Sequence, residues 1–246
     1  MKLTFWAVAV VLLLALPAAW ASSGITYGNG SITQVGASMS CSVGFSPSAP
    51  NGSILWFFWA TIGAPGTITS VLDSASQSLT ALTSNIYSSS TTHSYAYYET
   101  VTNNGGGGAT ASWTNSRTGL CIALYYTVTG GTASVSATNY NSTTGTGTAP
   151  SLSLNIDDAN DFVVGSIMTD NTSTTITTGN SRETQTTGAV GYVRGSAGDN
   201  TSASSGASVT IGSSATPTDW VEIVGEIRFT PSSSAPSNLP LLGVGE

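Results

Sequence analysis

The chain has one histidine, two cysteines and twelve carboxylates, and these bound the chemistry it could perform. His93 follows a Ser/Thr run, Ser88–Thr92. A Ser-His-Asp hydrolase can be built around one histidine, but it needs a nucleophile on a sharp turn ahead of a helix, and no Gly-x-Ser-x-Gly elbow of that kind occurs. His93 is therefore expected in a surface turn, and no catalytic residue is assigned. A zinc site made of several His or Cys ligands is excluded by count.

Two acids about 5–10 Å apart can hydrolyse a glycoside. The candidates are Asp157, Asp158, Asp161, Glu222 and Glu226. Glu222 and Glu226 fall on one face of a predicted final strand, about 13 Å apart at ordinary strand rise, which is too far for a catalytic pair. Asp157-Asp158-Ala159-Asn160-Asp161 is the densest run of oxygen ligands. Asp157, Asp158 and Asp161 are candidate calcium ligands, although their spacing is not that of an EF-hand loop. The alternative is a polar turn whose side chains bond local backbone. No other cofactor is expected.

Cys41 and Cys121 are 80 residues apart. In an oxidising compartment two thiols usually pair, so a disulfide is expected, the alternative being two buried thiols in separate strands. Five sequons begin at Asn29, Asn51, Asn141, Asn171 and Asn200. Each is a candidate glycan acceptor on an exposed turn of a secreted chain, and a chain this rich in Asn, Ser and Thr also generates such triplets by chance.

The elements that must hold these residues are strands. Met39, Cys41, Val43 and Phe45 alternate with serine and glycine, which puts them on one buried face. Ile54–Ile62 (ILWFFWATI) is apolar on both faces, as in a central strand covered on both sides. Ile54, Trp56 and Phe58 share one of those faces, with Phe57 and Trp59 on the other. Further strands are read near 67–72, 78–82, 95–101, 109–114, 119–128, 151–156, 161–168, 189–194, 207–211 and 220–229. The glycine run Gly105–Gly108 is read as a hairpin loop. The whole is an all-β chain, a single antiparallel, jelly-roll-like β-sandwich of about 10–13 strands. Most aromatics should lie in its core, while exposed Trp or Tyr would offer a sugar-stacking platform.

Composition supplies the setting. Lys2 and twelve apolar residues from Phe5 to Leu16, then Pro17 and Ala19-Trp20-Ala21, have the form of a cleaved signal peptide over residues 1–21. Twelve residues reach about 18 Å as a helix, short of the roughly 30 Å of a bilayer core. Residues 22–230 form the sandwich, and 231–246 a Ser/Pro-rich tail with an apolar end. Beyond the signal the only cations are Arg117, Arg182, Arg194 and Arg228. Nucleic acid is excluded as a partner, because so few cations cannot neutralise a run of phosphates. No membrane insertion of the mature chain is expected. Only 7% of residues are charged, yet 40% are hydrophobic, so the surface is built of hydroxyls and amides over a real core.

The strand pattern also resembles a known group. Ala49-Pro50-Asn51-Gly52-Ser53 leading into an apolar strand, then Thr67–Ser74 (TITSVLDS), is similar to secreted bacterial jelly-roll surface domains with an "AGN…VTSVTDSAGN" pattern. Tyr97-Tyr98-Glu99, Ala109–Trp113 and Asp158–Phe162 continue the likeness over residues 24–230. Ser76-Gln77 stands where that pattern has a glycine, which implies a different turn. The resemblance implies a secreted or cell-surface module and carries over no catalytic residues. The expected function is a non-enzymatic structural or adhesive protein of the cell surface or matrix, its partners being copies of itself or surface glycans. Filament growth would proceed by strand addition through Gly24–Gln34 or the tail; the simpler alternative is that Gly24–Gln34 completes its own sheet. A carbohydrate-binding module is the alternative function.

Overall fold

A computed structural model describes residues 24–82, 87–88, 91–102, 106–170, 172–187, 191–202 and 204–232. The expected signal peptide and most of the tail lie outside these residues. Fourteen strands and no helix are present among them: β1 Gly24–Ala49, β2 Ile54–Ile62, β3 Ile68–Asp73, β4 Thr80–Ala81, β5 Tyr87–Ser88, β6 Thr92–Thr100, β7 Gly106–Thr129, β8 Gly131–Gly145, β9 Ser151–Asn155, β10 Phe162–Asp170, β11 Asn180–Gln185, β12 Val193–Thr201, β13 Ser208–Gly212 and β14 Trp220–Pro231. All pairings are antiparallel.

Two sheets make the sandwich. The first runs β1-β7-β2-β6-β4, the second β11-β12-β10-β14-β8. Between them lies a core of Ile54, Trp56, Phe58, Leu120, Ile122, Leu124 and Tyr126 against Val164, Met168, Val221, Ile223, Ile227 and Phe229.

Each sheet is also covered outside. β1 and β7 are long enough to leave the first sheet and fold back over it. Gly24–Val35 pairs with Gly119–Thr129, whereas Ser38–Ala49 pairs with Gly106–Arg117, which β3 joins from the other side. This outer layer encloses a second core of Cys41, Val43, Phe45, Val71 and Ala111 against Leu55, Phe57 and Trp59. On the far side the β9–β13 ribbon covers β10 and β14 with Leu154, Ile156, Val209 and Ile211. Two-sided cover explains why Ile54–Ala60 is fully buried and why β10 and β14 have no exposed face.

Three expectations change. Met39 is 57% exposed, because a register irregularity between Ser38 and Ser40 turns it out of the alternation that buries Cys41, Val43 and Phe45. Gly106–Gly108 is strand, not hairpin loop; Gly105 lies outside the described residues. Glycine is needed there for close approach, since a Cβ on Gly106 or Gly108 would stand 2.2 and 2.0 Å from the carbonyl oxygens of Ala49 and Val43. The turn after Asp73 has no glycine, yet Ser76 takes φ 66°, so the left-handed residue is retained at the cost of roughly 1 kcal/mol of strain.

Gly24–Gln34 completes its own sheet, in pairing with β7 from Gly24↔Thr129 to Gln34↔Leu120. The simpler of the two expectations for this segment is the one observed.

Candidate functional site

His93 lies in β6 opposite Thr61, not in a turn. The strand begins at Thr92 because Asp219 clamps its start: one carboxylate oxygen accepts from the Thr91 amide at 3.1 Å, the Thr91 hydroxyl at 2.6 Å and the Thr92 amide at 3.3 Å. Nδ1 of His93 is buried without a partner among the described residues. Burial, and secondly Arg117, lower its pKa, so the ring is neutral at neutral pH. No hydrogen bond joins it to a serine or a carboxylate among these residues.

The acids separate into engaged and isolated groups. Asp161 accepts the Phe229 amide at 2.7 Å and the Asp158 amide at 3.0 Å, so it closes its own turn onto β14. Asp157 pairs with Arg228, whose Nε also meets Glu226 at 2.8 Å. Glu226 further accepts from Asn139 and from the Asp157 amide, both at 2.9 Å. Asp161 and Asp157 thus serve a turn and an ion-pair cluster, and Asp158 enters the turn through its backbone. Among the described residues no three His, Cys, Asp or Glu side chains gather to hold a metal by themselves.

Glu222 and Glu226 share a face, as expected, but their surroundings differ. Both oxygens of Glu222 are buried, and no side chain among the described residues hydrogen-bonds them. Across β14 it faces Ile167 of β10 and Thr143 of β8, beneath the β9–β13 ribbon. Burial pushes its pKa up to about 8, with the Leu152 amide acting weakly the other way. This carboxyl is protonated at neutral pH, and among the described residues no second acid is paired with it.

A buried ion-pair network escaped the sequence. Arg182 on β11 reaches both oxygens of Asp199 on β12, at 2.7 and 3.1 Å, and Tyr126 of the first sheet donates to the same carboxylate at 3.0 Å. The guanidinium also lies 4.4 Å over the Tyr27 ring. These contacts close one side of the sandwich between β1 and β11. Nothing in the polar stretch Asn180–Gln185 marks Arg182 as different from a surface arginine.

Most of the described aromatics pack in the two main cores. Trp59 is stacked between Tyr95 and Trp113, with ring centroids at 3.9 and 5.0 Å and planes within 6° and 2°. All three are buried, as are Trp56, Phe57 and Phe58, so none of them is exposed as a platform for a sugar. Among the described residues Met39 is the one exposed large hydrophobic side chain.

Cys41 and Cys121 form the expected disulfide. It ties the outer layer, where Cys41 pairs with Ala111, to the first sheet, where Cys121 pairs with Trp59. Of the sequons, Asn51 and Asn141 are exposed, the latter on β8. Asn29 and Asn200 are half-buried, and the Asn200 amide donates to the Thr210 carbonyl at 2.7 Å. Asn171 lies outside the described residues.

The polar face of this protein is made of hydroxyls. Ser42 and Thr110 meet at 2.7 Å across the outer layer, and Ser153 and Thr210 at 2.7 Å across the β9–β13 ribbon. A cleft of about 540 Å³ lies between the Pro50–Ser53 turn and the β7–β8 hairpin, and its lining contains no titratable side chain.

The sheet edges differ in their protection. β11 carries Arg182 and Glu183, and β4 has two residues. β1 and β8, over 26 and 15 residues, contain no charged side chain at all. Comparison with protein-family models, with curated proteins and with solved structures gives no match. No helix among the described residues is long and apolar enough to cross a membrane.

Proposed function

We propose that this is a secreted, non-catalytic structural or adhesive protein whose copies associate edge to edge through β8. The observation that carries this reading is the unguarded edge of the second sheet. A free edge presents unpaired N–H and C=O groups, and proteins that stay apart blunt it with lysine, other charges, proline or shortness. β8 has none of these; its one interruption is the irregularity between Tyr140 and Val135, which leaves two pairing runs, 131–135 and 140–145. With Met39 the one exposed large hydrophobic among the described residues, backbone pairing is the means of association this surface offers. The isolated histidine, the engaged acids and the disulfide all suit a load-bearing extracellular role better than catalysis.

Sedimentation and electron microscopy of the mature protein test the proposal. Assembly that grows with concentration is expected. Thr132→Lys with Thr144→Lys, both at exposed positions, should leave a folded monomer. A full-length mature protein that remains monomeric at high concentration overturns the reading, as does an assembly indifferent to both lysines. Sugar binding would need an exposed aromatic platform, and the described Trp residues are all buried.

A further inference from the structure

The second core contains polar atoms that its apolar surroundings do not explain. On β2 the side chains facing this core are Leu55, Phe57 and Trp59, and Ser53 precedes them on the same face. On β6 they are Tyr95, Tyr97 and Glu99, with Val101 just beyond its end and Glu99 paired to Leu55. Ser53 is therefore one diagonal step from Glu99 on a shared face. From the outer layer β3 contributes Val71 and Asp73 to the same compartment. The chain then turns back, Asp73 amide to Gln77 carbonyl at 2.8 Å and Leu79 amide to Val71 carbonyl at 3.0 Å, and rejoins β6 where Thr80 pairs with Tyr98. Asp73 thus stands over the end of β6 that bears Glu99.

Three oxygens are left over at this rim. Ser53 Oγ, Asp73 Oδ2 and Glu99 Oε1 are each buried with no hydrogen-bond partner among the described residues. Ser53 is 1% and Asp73 6% exposed. The other oxygen of Asp73 accepts the Ala75 and Gln77 amides, at 2.9 and 2.6 Å, which fixes the carboxylate and leaves Oδ2 unused. The arginines are engaged elsewhere: Arg117 bonds the Ala64 carbonyl, Arg182 Asp199, Arg194 the Ser173 hydroxyl, and Arg228 Glu226. At the mouth Thr102 Oγ1 and Gln77 Oε1 lie 3.3 Å apart, two more oxygens beside the same turn.

We propose that Ser53, Asp73 and Glu99 form a binding site for a calcium ion that pins the β3 turn to β6. Two carboxylates in an apolar compartment repel unless a cation or a proton stands between them. A donor set of oxygens only selects a hard cation, and an irregular set drawn from a serine, two carboxylates and nearby amide and hydroxyl oxygens suits calcium, which takes six to eight ligands in flexible geometry, better than octahedral magnesium. Two carboxylates place the affinity with the weaker extracellular sites, a dissociation constant of about 10⁻⁴–10⁻³ M. Burial, and then the neighbouring Asp73 carboxylate, raise the pKa of Glu99 to about 7.

The test uses the whole mature protein, freed of metal with EDTA and titrated with calcium chloride by calorimetry at pH 8, with magnesium chloride as the comparison. One saturable site is expected, together with a melting midpoint that climbs with the logarithm of calcium concentration. Glu99→Gln should abolish both responses while its calcium-free melting midpoint is no lower than that of the wild type, because the charge repulsion has gone. Asp73→Asn, which keeps an oxygen for the Ala75 and Gln77 amides, should do the same. Absence of heat and of a midpoint shift up to about 10 mM calcium, well above the weak-site range, overturns the proposal and leaves the pair sharing a proton. Binding that persists in Glu99→Gln overturns it equally.

Discussion

Reduction of the Cys41–Cys121 disulfide is expected to lower stability by about 4.5 kcal/mol, the loop-closure term for a crosslink between residues 80 apart. In a chain of this size that corresponds to a fall of roughly 10–15 °C in melting midpoint. The location supports an effect at the upper end, since the bond joins two layers and not two neighbours in one sheet. Cys41 belongs to the part of β1 that folds back, and Cys121 to the part of β7 that stays in the first sheet. Without the bond, the outer layer is held by the β1 and β7 chain reversals and by the second core. Melting with and without a phosphine reductant measures the difference, and intact mass should show two hydrogens fewer before reduction. Two freely alkylated thiols in the native oxidised protein, or equal midpoints, would contradict the prediction.

Much of this architecture is visible in the residues. Ile54–Ile62 is apolar at every position, which requires cover on both faces, and the cover is there. Alternation placed Cys41, Val43 and Phe45 correctly and misplaced Met39, because a register irregularity changes the face of every residue beyond it. β8 was missed for a physical reason. An edge strand with one sheet neighbour buries little, so Gly131–Gly145 carries no apolar period to detect. The same holds for β11, whose sequence NSRETQ reads as loop. Polar sites were less legible still. Periodicity reports which face a side chain is on, not whether a partner will be opposite, so Glu222 and Glu226 looked alike while only one meets an arginine. Asp73 and Glu99, 26 residues apart in the chain, become neighbours only through the β3 turn.

The protonated Glu222 should make this protein more stable in mild acid than in mild alkali. Its ordinary pKa of 4.5 applies to the unfolded chain, and burial raises it to about 8 in the folded one. Below pH 4.5 both states hold the proton and the contribution is fully present. Between 4.5 and 8 the unfolded chain loses it while the folded chain keeps it, so stability falls as pH rises, by up to about 1.4 kcal/mol per unit. The accumulated loss is on the order of 5 kcal/mol, and above pH 8 the slope from this group vanishes. Asp161, Glu183 and Glu99 are raised as well and contribute slopes of the same sign, so the informative quantity is the difference between proteins. Glu222→Gln keeps the shape and removes the proton. Urea unfolding at intervals from pH 5 to pH 8.5 should show the variant gaining on the wild type steadily across that window, with the two nearest each other at the acid end. The direction follows from the surroundings: Ile167 and Thr143 opposite, the leucines of β9 above, and no cation facing the carboxyl among the described residues. Parallel pH profiles for the two proteins would mean that Glu222 is ionised in the fold, and that the β9–β13 ribbon admits water to it.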